Sequence, residues 1–370
     1  MNAPLNQKLE SVEWGEYSYS EIFDLVSSDK LLTKKLLSEK GKYPTFSSDS
    51  SNNGIVGYSD IEPSFHCDKE FPIFVVFGDH TRNFNIAQES FNVMDNVKVL
   101  RPKQRYSLSE ILFITIAWKK CIQNLGYARH WKIAKKAKIL LPTKNNQIDF
   151  DFMDSFVAEL EEERIVELSA YLKASGLDNY ELSAEELNAL QNYDTMEWRE
   201  YTLSEVFEVM AYKKRFDANK VKLLEKKGYP YVVRKSSDNG IKGYIKEDTV
   251  YLNDGNTISF GQDTATSFYQ KEPYFTGDKI KILKPKVKEF NKDNALFFVT
   301  SITRSFSKFS WGNSSYSVDT IQNQKLSLPT VNGNVDFRYI ELLTKAISKL
   351  IIKDVVEYVD NKIDTPKPII

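Results

Sequence analysis

Apolar positions along the chain fall into short runs and two long helical stripes. FPIFVVFG (71–78), VKVLRP (97–102) and KAKILLP (136–142) have the length and apolar content of strands. TISFG (257–261), KIKILKP (279–285) and QKLSLP (324–329) answer them in the same order. Each set carries one amphipathic helix, LSEILFITIAWKKCIQNL (108–125) and NKDNALFFVTSITRSF (291–306). A longer helical segment follows each. In residues 151–174, Met153, Phe156, Val157, Leu160, Ile165, Leu168 and Leu172 recur near a spacing of three to four. In residues 336–363, Ile340, Leu343, Ile347, Leu350, Ile351, Val355 and Tyr358 do the same. That period is helical and resembles a two-stranded coiled-coil seam. It predicts that the two helices pair antiparallel as one spacer between two globular domains.

The two sets are copies of one unit. SSNNGIVGY (50–58) returns as SSDNGIKGY (236–244), and EWGEYSYSEIFDL (13–25) as EWREYTLSEVFEV (197–209). FGDHT (77–81) faces FGQDT (260–264), and DNVKVLRPK (95–103) faces DKIKILKPK (278–286). KILLPT (138–143) faces KLSLPT (325–330). The offset drifts only between 183 and 187 residues, which marks a tandem domain duplication rather than a short-period solenoid. The fold class that follows is α+β: two tandem β-rich domains with pseudo-two-fold symmetry, separated by long antiparallel spacer helices. The expected boundaries are 1–150 for the first domain and 151–195 for a central helix and acidic linker. The second domain is expected over 196–335 and a C-terminal spacer helix over 336–366. Asn53-Gly54 and Asn239-Gly240 read as tight type I′ hairpin turns, because both central positions of that turn need positive φ.

Charge adds a second asymmetry. The net charge is −1, but residues 149–200 hold fifteen acidic and three basic residues, leaving 47 basic and 36 acidic elsewhere. Two surfaces with different partners fit that split. An acidic helix repels DNA, so it is expected to face protein. No apolar stretch approaches the roughly 18 residues of a membrane span, and MNAPLNQKLESVEW shows no secretory signal pattern. Cys67 and Cys121 are too few for a disulfide scaffold, which points to a reducing cytoplasm.

Catalytic signatures are missing. The chain has no phosphate loop, no Asn-Pro-Pro-Tyr or Asp-Pro-Pro-Tyr, and no Gly-rich loop suited to S-adenosylmethionine. His66, His80 and His130 have no metal-ligand spacing, so no metal site is expected. Asp79 and His80 would make a base and its orienter, but the second copy has Gln262 and Asp263 there, which argues against a duplicated active site. What the copies share is polar and basic loops interleaved with aromatics. The first copy presents Lys42, Ser48, Asn52 and Asn53, then His80, Arg82, Asn83 and Asn85, then Arg129 and His130. The second presents Arg234, Lys235, Ser236, Asn239 and Lys242, then Gln262, Thr264 and Thr266. Arg304, Trp311, Asn313 and Ser315 complete its set. These residue types reach base edges and phosphates. FGDHTRNFN against FGQDTATSF keeps a frame and changes its side chains, as two readers of two different sequences would. Two other classes fit the residues alone: a freestanding metal-dependent nuclease, and a duplicated carbohydrate- or protein-binding module with Trp131 and Trp311 as stacking platforms.

The W-x-x-Y-x-x-x-x-I/V-F opening of each copy, YP, NGI-x-GY and FGDHTR resemble one known family. FYQKEPYFTGDKIKILKP (268–285) and KILLPTKNNQIDFDFMDSF (138–156) match it as well. It comprises the DNA specificity subunits of type I restriction–modification systems and the similar subunit of BcgI-like type IIB systems. The resemblance spans nearly the whole chain. It implies two target-recognition domains, each reading one half of a split double-stranded DNA sequence. It implies helices that set the gap between the halves and dock DNA adenine methyltransferase subunits, here through Phe156, Leu160, Leu168 and Leu172 and through Leu343, Ile347 and Leu350. It implies that this chain is not itself an enzyme and binds no cofactor. S-adenosylmethionine, Mg and, in type I systems, ATP would be used by the partners, which in type I systems include a restriction/translocase subunit. The acidic stretch after residue 174 departs from the pattern as a second short helix or linker.

Overall fold

The computed structural model describes residues 3–28, 30–225, 227–307 and 317–364. The chain forms two compact units, residues 1–168 and 169–370. The first unit begins with α1 (Ala3–Ser11), β1 (Glu13–Tyr17), α2 (Tyr19–Ile22) and β2 (Phe23–Val26). It continues with β3 (Tyr43–Phe46), β4 (Ile55–Ser59), β5 (Phe74–Gly78), β6 (Phe84–Ala87), β7 (Asn92–Val93) and β8 (Val97–Pro102). Then come α3 (Leu108–Cys121), α4 (Trp131–Ala134), β9 (Ile139–Lys144), β10 (Gln147–Ile148) and the long helix α5 (Phe150–Ser175), within which the division into units falls.

The second unit repeats the order after a helix of its own, α6 (Ala184–Gln191). It contains β11 (Trp198–Thr202), α7 (Leu203–Val206), β12 (Phe207–Ala211), β13 (Tyr229–Val232) and β14 (Ile241–Ile245). β15 (Thr257–Gly261), β16 (Ser267–Gln270), β17 (Phe275–Thr276) and β18 (Ile280–Pro285) follow. α8 (Ala295–Phe306), α9 (Val318–Gln322), β19 (Lys325–Val331), β20 (Asn334–Val335) and α10 (Phe337–Asp364) close it.

The sheets duplicate strand for strand. Orders β1-β9-β10, β2-β8-β5-β6 and β4-β3-β7 in the first unit become β11-β19-β20, β12-β18-β15-β16 and β14-β13-β17 in the second. Even the irregularities recur. β3 and β13 each pair antiparallel with the next strand, slip register before their last residue, and pair parallel with a two-residue strand.

The pleat explains the apolar runs. In β5, Val75 and Phe77 enter a core with Trp118, Trp131 and Leu141, while Phe74 and Val76 enter another with Phe46, Phe65 and Phe91. Both faces are buried, so FVVF shows no alternation. In β15 the sequence alternates: Ile258 and Phe260 enter the core with Phe298, while Thr257 and Ser259 are buried polar residues. Thr257 Oγ1 lies 3.1 Å from Tyr274 OH, and Gln270 Nε2 donates to Ser259 Oγ at 3.0 Å. A buried hydroxyl needs such a partner.

The Asn-Gly pairs have positive φ as expected: 48° and 76° at Asn53 and Gly54, 54° and 74° at Asn239 and Gly240. They are not two-residue hairpin turns. β3 and β4 are joined by residues 47–54, and the Asn-Gly ends that loop as a single turn, with Ser47 N–H donating to Gly54 O at 2.9 Å. Loop length, rather than the dipeptide, sets the hairpin class.

The acidic linker is also structured. Ser183 and Glu186 cap α6 reciprocally. α6 then lies on α10: Ala189 packs with Tyr339 and Leu343, Tyr339 OH donates to Ala189 O at 2.9 Å, and Lys349 Nζ is 2.8 Å from Glu186 Oε2. No helix among the described residues is long and apolar enough to cross a membrane.

Candidate nucleic-acid interface

In each unit two loops meet, and their main chains match bond for bond. Gly78 N–H donates to Asn83 O and Arg82 N–H to Gly78 O, both at 2.8 Å. In the second unit Gly261 N–H donates to Thr266 O at 2.9 Å and Ala265 N–H to Gly261 O at 2.8 Å. Arg82 and Ala265 share a left-handed backbone, φ 59° and 51°. Asp79 N–H donates to Asn96 O, and Gln262 N–H to Lys279 O, at 2.9 Å each. One backbone therefore carries two sets of side chains.

The first set is organised by Asp79, which is 4% exposed. Its Oδ1 accepts from Trp131 N–H at 2.6 Å and its carbonyl from His130 N–H at 2.9 Å. His130 is fully buried, with Nδ1 3.0 Å from Asp79 O and Nε2 accepting from Leu125 N–H at 3.0 Å. This knot pins segment 122–131 beside loop 78–83. Above it the His80 ring stacks on Tyr127, centroids 5.1 Å apart, and Tyr127 is 90% exposed. Ser48 Oγ accepts from His80 N–H at 3.0 Å, which ties in loop 47–54.

The second set is ionic. Arg234 Nη1 and Lys279 Nζ both bind Asp263 Oδ2, the latter at 2.8 Å. Asp263 occupies the place of His80. Lys235 pairs with Asp238, and Thr264 and Thr266 hydroxyls lie 2.8 Å apart.

Several expected readers are used elsewhere. His130 and Asn85 are buried, so neither presents its side chain at the surface. Arg82 turns inward and donates to Ile122 O at 2.8 Å, closing the last turn of α3. Asn53 and Asn239 direct their amides to the main chain of Ile86 and Tyr269. Asn83 accepts from Lys119, and Lys242 donates to Ala218 O at 3.0 Å. Lys42, Asn52, Arg129, Arg234, Ser236 and Arg304 are exposed, whereas Ser48, His80, Lys235, Gln262, Thr264 and Thr266 are half-buried. Trp311, Asn313 and Ser315 lie outside the described residues. Lys119 and Lys279 enter the surface unannounced, since only the folded loops bring them beside Asn83 and Asp263.

On the helices, Phe156, Leu172 and Leu343 are buried, and Leu160 and Leu168 half-buried. Phe156 meets Phe113 edge-on at 5.9 Å, and Leu343 is covered by α6. Phe156, Leu172 and Leu343 are covered within the fold, which corrects the expectation that their side chains face a partner, while Leu160 and Leu168 keep part of their surface open. Ile347 and Leu350 are exposed. Among the described residues no group of three or more His, Cys, Asp or Glu is placed to hold a metal ion.

Two equivalent scaffolds that present unlike polar loops define a tandem recognition protein. The chain belongs to the type I restriction modification DNA specificity domain family, whose model matches residues 11–170 and 195–358. It is 20% identical over 336 residues to the type II restriction enzyme BgcI specificity subunit S.BcgI of Heyndrickxia coagulans, covering 89% of this chain and 93% of that protein. It also resembles the crystal structure of the type-I restriction-modification system S subunit from M. genitalium. That likeness has a TM-score of 0.55 at 16% identity, over 95% of this chain and 92% of the other. At that identity the likeness speaks for a shared fold.

Proposed function

We propose that the chain is the DNA-reading subunit of a restriction–modification complex, each unit contacting one half of a bipartite duplex target. The observation that carries this is the shared backbone of loops 78–83 and 261–266 with different side chains on it: His80 on Tyr127 in one, Asp263 between Arg234 and Lys279 in the other. Identical frames place groups at equivalent positions over a groove, and unlike groups select unlike bases. Helix α5, of 26 residues, is about 39 Å long at roughly 1.5 Å per residue. That is close to the roughly 34–36 Å of one DNA turn, so α5 and α10 serve as the ruler between half-sites. The exposed apolar residues Ile347, Leu350 and Ile351 of α10 dock an adenine methyltransferase subunit. S-adenosylmethionine, Mg and ATP belong to the partners' chemistry, and this chain supplies sequence specificity.

Methylation mapping tests the reading. Deleting the gene should erase one bipartite adenine-methylation motif from the host genome, and restoring it should return the motif. An unchanged methylome would overturn the proposal. Inserting four residues, about one turn, near Glu162 should alter the gap between half-sites and leave each half unchanged.

A further inference from the structure

The two units neutralise their cations differently. Between Glu110 and Asp149 the first unit has no acidic residue and eight Lys or Arg residues. The matching stretch of the second, 295–335, has three cations and one Asp. This basic segment adjoins loop 78–83. Lys119 Nζ donates to Asn83 Oδ1 at 2.6 Å, and the residues after Arg129 are pinned to Asp79. Lys120, Arg129, Lys132, Lys135 and Lys136 are exposed. Among the described residues, first-unit cations that do meet a carboxylate include Lys8 with Glu159, Arg101 and Lys103 with Asp24, and Arg164 with Glu167, whereas none of the eight lies within ion-pair distance of one. In the second unit Lys213 and Lys284 share Asp254, Arg215 meets Asp278, and Arg234 and Lys279 share Asp263.

We propose that segment 119–136 of the first unit is a grip for duplex DNA phosphates. The inference rests on the DNA-reading function above and adds a phosphate-contacting segment that the matching stretch 295–335 lacks. An unmatched surface ammonium carries condensed-counterion release in full when it meets a phosphate. A cation already held by a carboxylate must first give up that pair, or brings the carboxylate's repulsion with it.

The test uses the complex with its methyltransferase partner and a duplex carrying the mapped target, titrated from about 50 to 200 mM salt. The variant K132Q/K135Q/K136Q should flatten the slope of log K against log salt by about 0.9 for each phosphate no longer neutralised. Three such phosphates correspond to about a 40-fold smaller loss of affinity across that range. The control K213Q/R215Q/K284Q, at cations paired with carboxylates, should change the slope by less than about 0.9, the equivalent of one phosphate. Equal slope changes in the two variants, or an unchanged slope in the first, overturn this inference and leave DNA reading intact. An unaltered complex that fails to bind the duplex removes the reading function itself and the grip with it. All six positions are exposed or bound only at the surface, so thermal unfolding should not distinguish the variants.

Discussion

Asn53 completes the edge of a sheet by pairing with Ile86 through both ends of its side-chain amide. Nδ2 donates to Ile86 O at 2.7 Å, and Ile86 N–H donates to Oδ1 at 2.9 Å. β6 is the edge strand of its sheet, and the amide stands in for the next strand. Asn239 donates likewise to Tyr269 O at 2.9 Å. Asn53→Ala removes two hydrogen bonds of about 1 kcal/mol each and leaves Ala in a left-handed backbone costing about 1 kcal/mol more. Exchange of the Ile86 amide should accelerate by about tenfold for each 1.4 kcal/mol. Asn53→Asp keeps the acceptor and should show roughly half the effect. Equal protection of Ile86 in Asn53→Ala and wild type would refute the pairing.

Gly54 and Gly240 share a conformation but not a neighbour. A Cβ on Gly54 would lie 2.0 Å from Asn85 Nδ2, whereas one on Gly240 would lie 3.1 Å from Phe268 Cδ2. Both Ala variants incur about 1 kcal/mol for positive φ, and only Gly54→Ala adds a clash against a buried side chain. Gly54→Ala should therefore destabilise its unit clearly more than Gly240→Ala does. Asn85 Nδ2 has no hydrogen-bond partner among the described residues, so Asn85→Ala should cost little and should rescue Gly54→Ala. A double variant no more stable than Gly54→Ala alone would reject the clash.

The duplication was legible because both copies keep residues that the backbone demands: Asn-Gly at positive φ, and apolar runs in strands buried on one or both faces. The small sheet β4-β3-β7 was not, since it depends on a parallel pairing of Thr45 with Asn92 through a two-residue strand. Residue type also misplaced the readers. His130 and Tyr127 sit three positions apart in one polar stretch, yet one is fully buried and the other 90% exposed. The main-chain carbonyl of Asp79, which both His130 N–H and Nδ1 meet, holds one of them inward. The long helices were recognisable by period, but period does not say which side another element covers. Leu343 lies under α6, whose acidic composition reads as linker.

Glu186 gives the docking of α6 a pH dependence. Burial pushes its carboxyl up, but the Lys349 ammonium and the Ser183 N–H outweigh that and hold it below the usual carboxylate value. A depressed folded-state pKa contributes stability that is present above the unfolded pKa of about 4.3 and lost as pH falls through the folded value. Thermal unfolding of the second unit should thus weaken below about pH 4 by an increment that Glu186→Gln lacks. At neutral pH Glu186→Gln should already be less stable, because Lys349 loses its charge partner. Parallel pH profiles for the two proteins would exclude the ion pair as the cause.

Asp263 is the sharpest test of two independent readers. Its carboxylate holds Arg234 and Lys279 together at the position where the first unit places His80. Asp263→Asn keeps size and shape but removes the charge that fixes the two cations. Arg234 then samples more rotamers, and its forked donors no longer meet one base in one geometry. Discrimination at one or two base pairs of the second half-site should fall by about 1–3 kcal/mol each, roughly 5- to 150-fold. Affinity for unrelated duplex should rise at the same time, since a negative charge has left the surface. The first half-site should be read as before, because the His80–Tyr127 stack and the Asp79 knot involve no residue of the second unit. Methylome sequencing of cells carrying Asp263→Asn reports both halves at once. Relaxation confined to the second half supports separate reading by each unit, and loss of discrimination at both halves would show that the two loops contribute to one shared site.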